Sequence, residues 1–381
     1  MRTRELIKQI QKLNDSKVIT YITGDRQPIS SIIAEDAVRP LYEHLLSIKN
    51  NRKIDLILYS RGGDVSVPWR IVSMFREFCD ELSVLVPYKA HSAATLISLG
   101  TDKIIMGRKA ELSPIDPTLR KMVIGEIAGP PQEISVEDVN SYISFVKERA
   151  NINDQLAVAQ MVSILANHLS PLTLGSVNRQ NSHIRLVARK LLTSRKEKID
   201  EAKINSIIET LTEKIYSHGH AIGRKEAQEI GLPIEIPEEL LESSLWDLYL
   251  EYEEFLKLNE PLDPLVELGD KEEQHLEGIP LTIIESENKT HVFTTRIDFK
   301  RKRQMPSTPQ ININLGLSLP PDIKPNEISQ QSQQILQQIT NQIAQKIPSL
   351  VQQEILKQAP EVGVVTRVYG GRWQEYSQEY S

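Results

Sequence analysis

Ile54-Asp55-Leu56-Ile57-Leu58-Tyr59-Ser60-Arg61-Gly62-Gly63-Asp64 is the stretch whose reading decides the fold. Its apolar half reads as a buried strand that ends in paired glycines. A second stretch has the same design: Leu82-Ser83-Val84-Leu85-Val86-Pro87-Tyr88-Lys89-Ala90-His91-Ser92-Ala93-Ala94-Thr95 runs from a strand into a small-residue helix through a serine. A strand that ends in Gly-Gly lets backbone N–H groups approach a ligand closely, because no Cβ intervenes. A serine at a strand-to-helix junction can aim its hydroxyl into a cleft. The following N–H then stands at a helix start, where an anion is favoured. Together the two stretches can supply a nucleophile and an oxyanion hole.

Outward from this centre, the first 110 residues alternate strand and helix. Residues 17–23, 54–59, 83–86 and 103–106 read as strands, and 34–48, 67–78 and 92–99 as helices. Alternation of this kind predicts a parallel α/β layout. Residues 136–232 read as mainly helical. Ser135 is a candidate N-cap with Asp138 as capping-box partner, and Val136, Val139, Ile143 and Val146 mark a buried stripe.

Three motifs in this order resemble the Clp-fold serine peptidases, and among them the serine dehydrogenase proteinase family, related to signal peptide peptidase A. They are Leu58-Tyr59-Ser60-Arg61-Gly62-Gly63-Asp64, Ala90-His91-Ser92-Ala93-Ala94-Thr95-Leu96 and Ser113-Pro114-Ile115-Asp116-Pro117. Weaker echoes lie at Val136 to Lys147 and at His218-Gly219-His220-Ala221-Ile222, which extends the resemblance over about the first 235 residues. The resemblance implies a fold of the Clp/crotonase type, a stacked ββα spiral core, here with a mixed, largely helical C-terminal extension. It also implies oligomers, a peptide or protein substrate and no cofactor.

The same resemblance makes Ser92 the nucleophile, with the backbone N–H groups of Gly62 and Ala93 as the oxyanion hole and Gly63 beside them. Read by position alone, Ser92 is a helix cap and Gly62-Gly63 a tight turn. The general base is less plain. Clp protease proteolytic subunits use a histidine a short way after the serine, and the segment Ala110 to Pro117 has none. Signal peptide peptidase A uses a lysine some fifty residues downstream, and Lys147 lies fifty-five residues after Ser92. Lysine serves as base only where desolvation or nearby positive charge populates its neutral amine; otherwise Lys147 is a solvated surface residue. His218 and His220 are the alternative bases. His91 reads as a structural or cleft-lining neighbour of Ser92, and Asp116, between two prolines, as a supporting turn residue.

Composition frames these assignments. The chain has 381 residues, net charge −6, 40% hydrophobic and 25% charged residues, the profile of a globular protein without general nucleic-acid affinity. Cys79 is the single cysteine, which fits a reducing cytoplasm and reads as a small core residue. No zinc spacing, P-loop or dinucleotide fingerprint is present, so no metal or cofactor is expected. No apolar run reaches a membrane span, and the charged amphipathic start lacks a signal-peptide h-region.

The expected organisation is a peptidase domain over 1–235, an acidic helical segment over 236–278 and a β-hairpin with a basic end over 279–305. A proline-containing linker over 306–326 and a Gln-rich amphipathic helix with a tail over 327–381 follow. The basic run Lys300 to Arg303 reads as a solvated strand end. The acidic segment and the Gln-rich helix are candidates for covering the cleft or docking a regulatory partner. Two rival functions share the fold: a catalytically silent interaction scaffold, and an acyl-CoA enzyme of crotonase type that would not need Ser92.

Overall fold

The structure is a computed structural model. It describes residues 2–48, 52–115, 118–121, 132–135, 142, 144–168, 171–215, 217, 219–304, 337, 340–341, 343, 346–352, 355 and 359–376. The expected linker and most of the Gln-rich helix therefore lie outside the described residues, as do Asp138, Val139 and Ile143.

Along the chain run α1 (Thr3–Asn14), β1 (Lys17–Thr23), α2 (Val38–Ile48), β2 (Lys53–Tyr59), α3 (Val67–Arg76), β3 (Glu81–Val86), β4 (Lys89–Ala90), α4 (Ala93–Leu99), β5 (Lys103–Met106) and β6 (Glu111–Leu112). A hairpin of β7 (Thr118–Lys121) and β8 (Gln132–Ser135) precedes a π-helical turn at Phe145–Arg149. Next come α5 (Gln155–His168), α6 (Pro171–Thr193), α7 (Glu201–Glu209), β9 (Ile222–Gly223), α8 (Arg224–Ile230), β10 (Ile234–Glu235), α9 (Glu239–Leu256) and α10 (Pro264–Leu268). The chain ends with β11 (Glu273–Ser286), β12 (Thr290–Arg303), β13 (Glu361–Val368) and β14 (Arg372–Glu375).

Contacts divide the chain into two units: Met1–Leu262 with Gly278–Thr295 and Gly371–Ser381, and Asp263–Glu277 with Arg296–Gly370. In the first, β10, β5, β3, β2 and β1 lie in that order as parallel neighbours, and β11 joins β1 antiparallel, with Ile22 opposite Ile283. The central strands are apolar at nearly every position because both faces are covered. Leu56, Leu58, Val84 and Val86 face a core shared with α2, α3, α4, α6 and α7. Ile57, Tyr59 and Leu85 point to the other face, where Leu6, Ile7 and Ile10 of α1 meet Leu245, Leu248, Tyr249 and Tyr252 of α9. The acidic segment thus carries core residues, and contacts extend the first unit past residue 235.

A second, three-stranded sheet of β4, β6 and β9 stands beyond the ends of the main strands. Its parallel partners are Lys89 opposite Glu111 and Ala90 opposite Leu112, and Ile222 pairs with Leu112 from the other side. Main strand, short crossing strand, helix is the recurring unit: β3, β4, α4 is one turn of it, and Ser60 after β2 bridges Ala90 in the same manner before α3. This is the ββα architecture of the Clp-like fold.

In the second unit β12 pairs antiparallel with β13 from Ile297↔Val368 to Arg303↔Glu361. The basic run is not a free patch: Lys300 pairs with Glu273, Arg301 with Glu361 and Arg303 with Glu272.

Candidate active site

The carboxyl ends of β2 and β4 converge. Ser92 has φ 51° and ψ −111°, a positive φ that costs a non-glycine residue on the order of 1–3 kcal/mol. Such a strained strand-to-helix turn is how a serine hydroxyl is held clear of its own backbone. Hydrogen bonds hold the turn from every side. The His91 N–H donates to Ser60 O (2.9 Å), the Ser92 N–H to Ser113 Oγ (2.8 Å), and the Leu96 N–H to Ser92 O (3.0 Å). The Ser113 N–H donates to Thr95 Oγ1, and the Thr95 hydroxyl donates to Ala90 O (2.7 Å).

Gly62 is glycine because Ser92 presses on it. A Cβ at Gly62 would lie 2.7 Å from Ser92 Cβ and 3.1 Å from Ser92 Oγ, and φ there is +115°. At Gly63 a Cβ would meet the Ile33 carbonyl oxygen at 2.1 Å. Ile33 runs parallel to the glycines: its N–H donates to Gly62 O and its carbonyl accepts from the Asp64 N–H, both at 2.8 Å. That pattern leaves the N–H of Gly63 on the side away from Ile33.

The two glycine amides differ in use. The Gly62 N–H donates to Ser60 Oγ (3.0 Å), whereas the Gly63 N–H has no acceptor among the described residues. The Ala93 N–H, first in its helix, likewise has no acceptor among the described residues. The structure therefore brings Ser92, Gly62, Gly63 and Ala93 together and points to Gly63, rather than Gly62, as the amide available beside the serine.

The expected bases are placed less closely. Ser92 Oγ has no hydrogen-bond partner among the described residues. Lys147 is exposed on the π-helical turn, while its neighbour Val146 is buried. His220 lies just before β9, two strands from β4, with Nε2 at 2.8 Å from a Glu226 oxygen. His91 Nε2 is 3.2 Å from Glu111 Oε1, so its ring faces β6. His218 and Asp116 lie outside the described residues.

Sequence reasoning missed Ser60, Ser113, Thr23 and Ile33, which frame the site. Ser60 and Ser113 stand within the quoted motifs, but only the register across strands shows what their hydroxyls hold. It also missed Asp25, which accepts from the Tyr59 hydroxyl (3.0 Å) and lies 3.5 Å from Lys89 Nζ at the same end of the sheet. Cys79 is half-buried: burial pushes its thiol up to about 12, which keeps it protonated, and the thiol donates to Phe75 O. Among the described residues no cluster of His, Cys, Asp and Glu is arranged to hold a metal ion.

The strained serine, the close glycine pair and two amides without an acceptor among the described residues are the nucleophile and oxyanion parts of an acyl-transfer site; among the described residues no base is hydrogen-bonded to the Ser92 hydroxyl. Residues 1–171 match the ClpP-like SDH-type serine proteinase family. The match covers the whole serine–glycine constellation and ends where α6 begins. Two uncharacterized proteins of Methanocaldococcus jannaschii are similar. MJ0137 is 27% identical over 254 residues, covering 64% of this chain and 77% of that protein. MJ1495 is 26% identical over 125 residues, covering 31% and 43%. Among solved structures, ClpP1 from Listeria monocytogenes is 15% identical with a TM-score of 0.32, over 61% of this chain and 99% of that one. A point mutant of it gives 14%, 0.31, 61% and 99%. The family match supports a peptidase role in general.

Proposed function

We propose that this chain is a serine peptidase that hydrolyses peptide bonds through an acyl-enzyme on Ser92. The observation that carries the reading is the Ser92 turn itself: a positive φ held by hydrogen bonds, pressed against a glycine that has room for no side chain. Strain of this kind, next to two amides that have no acceptor among the described residues, supports a role for the hydroxyl beyond packing.

In the proposed reaction Ser92 Oγ bonds to the scissile carbonyl carbon as its proton passes to the base. The carbonyl π electrons move to oxygen, and the N–H groups of Gly63 and Ala93 receive that oxyanion. Collapse breaks the C–N bond, and the amine leaves with the proton. Water then repeats the sequence on the ester. Each oxyanion donor in such a site is worth about 10²–10³ in rate.

Lys147 is the proposed general base. That assignment rests on the resemblance to signal peptide peptidase A: Lys147 is exposed in the single chain, so its neutral amine needs the desolvation that a bound substrate or a second copy would supply, whereas His220 pairs with Glu226. The specific observation behind the rival scaffold reading is that Ser92 Oγ has no hydrogen-bond partner among the described residues. Labelling of the full-length protein by a fluorophosphonate, with peptide mapping, separates the two. The peptidase reading expects an adduct on Ser92 that is lost in Ser92→Ala and Lys147→Ala. Labelling that survives Lys147→Ala but not His220→Ala moves the base to His220. No adduct on the wild-type chain favours the scaffold.

A further inference from the structure

Two buried serine hydroxyls, Ser60 and Ser113, hold the two backbone segments that meet at the nucleophile. Ser60 is wholly buried, and Ser113 nearly so. Each hydroxyl has a single proton, and in each the proton is already committed. Ser113 Oγ donates to Pro114 O at 2.9 Å, which leaves a lone pair to accept the Ser92 N–H at 2.8 Å. Ser60 Oγ donates towards Gly62 O at 3.3 Å, and accepts from the Thr23 hydroxyl at 2.7 Å and the Gly62 N–H at 3.0 Å.

The consequence lies in which amides remain. On each segment one N–H is tied down and the next has no acceptor among the described residues: Gly62 is tied and Gly63 is not, Ser92 is tied and Ala93 is not. A tied amide fixes the plane of its own peptide and, through the adjoining Cα, limits the rotation of the next. The Ser92 peptide is the more demanding, because a positive φ persists only where its surroundings over-determine it.

We propose that Ser60 and Ser113 are positioning residues that set the direction of the Gly63 and Ala93 N–H groups and hold Ser92 in its strained conformation. The proposal rests on the reading of Ser92 as nucleophile. Neither hydroxyl touches substrate; both act through backbone, from positions thirty-two residues before and twenty-one after Ser92.

The test uses the full-length chain, wild type and the variants Ser60→Ala, Ser113→Ala and Ser113→Thr. Ser98→Ala serves as the control: Ser98 is an equally buried serine of α4 whose hydroxyl donates to Ala94 O. Fluorophosphonate inactivation is resolved into its rate constant and its binding constant, and amide hydrogen exchange is read at Gly62, Ser92 and Ala93. Expected is a fall of about tenfold or more in the rate constant for both alanine variants, with the binding constant unchanged. Exchange should quicken about tenfold at the amide that each hydroxyl holds, Gly62 or Ser92. Ser113→Thr restores both readouts, and Ser98→Ala alters neither. Wild-type labelling with unchanged rate and exchange in both alanine variants overturns the proposal. A wild-type chain that never labels sinks the nucleophile reading instead, and exchange then still tests whether the hydroxyls hold these amides.

Discussion

At the scale of single residues, the site depends on a missing side chain. Gly62→Ala places a methyl carbon at 2.7 Å from Ser92 Cβ on a backbone whose φ of +115° already disfavours it. Relief requires Ser92 to shift, and a displacement of about 1 Å costs on the order of 10²-fold in a catalysed rate. Fluorophosphonate labelling of Gly62→Ala should fall by about that factor, measured as a second-order rate constant. A second residue-scale prediction concerns His44. It is buried between Ser286, at 2.8 Å from Nδ1, and His291, at 3.1 Å from Nε2, while His291 meets Glu43 at 3.2 Å. Burial, then the nearby His291 and Lys289, push His44 from its ordinary 6.5 down to about 3; burial also lowers His291. The folded protein thus refuses a proton that the unfolded chain accepts, and stability drains away as pH falls below about 6.5. The slope from His44 alone is about 1.4 kcal/mol per pH unit until pH nears its folded value. Urea midpoints between pH 7 and 5 should show the fall, and His44→Asn should flatten it.

Elements are joined by a few charged clamps rather than by apolar contact alone. The Asp102 carboxylate accepts from Arg76 of α3 (3.0 Å), from the Leu82 N–H of β3 (2.9 Å) and from the Lys196 N–H just after α6. Burial pushes this carboxyl up, but those donors outweigh it and hold it below its usual value. Asp102→Asn leaves Arg76 half-paired in a nearly buried setting and should cost about 3 kcal/mol in equilibrium unfolding. Helix α9 makes a complementary case. Its Leu248 and Tyr252 are wholly buried on the α1 face of the sheet, and the Tyr252 hydroxyl donates to the equally buried Glu285 (2.8 Å). A chain ended at residue 235 should therefore fail to give a cooperative thermal transition, whatever becomes of the serine. The acidic composition of 236–278 is legible in the sequence; that one face of α9 is core is not, because its partners on α1 lie more than two hundred residues away.

For the molecule as a whole, α5 is the anomaly. Its fourteen residues include no Asp, Glu, Lys or Arg, and none of those described in it is buried; Leu156 is 77% exposed. Beside the polar face of Gln160, Ser163 and Asn167 the remaining apolar surface of α5, without a charge to hold it in water, is the kind that is stable when covered. No helix among the described residues is long and apolar enough to cross a membrane. Self-association over α5 is the arrangement that fits the oligomers implied by the family resemblance. Sedimentation velocity of the wild-type chain should give a multiple of 43.3 kDa, and Leu156→Glu should lower it. A wild-type monomer would count against the oligomer.

The sequence by itself determined the strands, the glycine pair, the serine junction and their order. Residues 17–23 and 103–106 form strands at the positions their patterns predict, because alternation, turn residues and small-residue junctions are encoded within a few neighbours. Tertiary structure alone decided which glycine amide is free, that Ser60 and Ser113 hold the backbone around Ser92, that His91 turns to Glu111, and that α9 closes the second face of the core. Each of these is a choice of partner between distant segments, made when strand register and burial force every polar group to find an acceptor, and no local pattern records it.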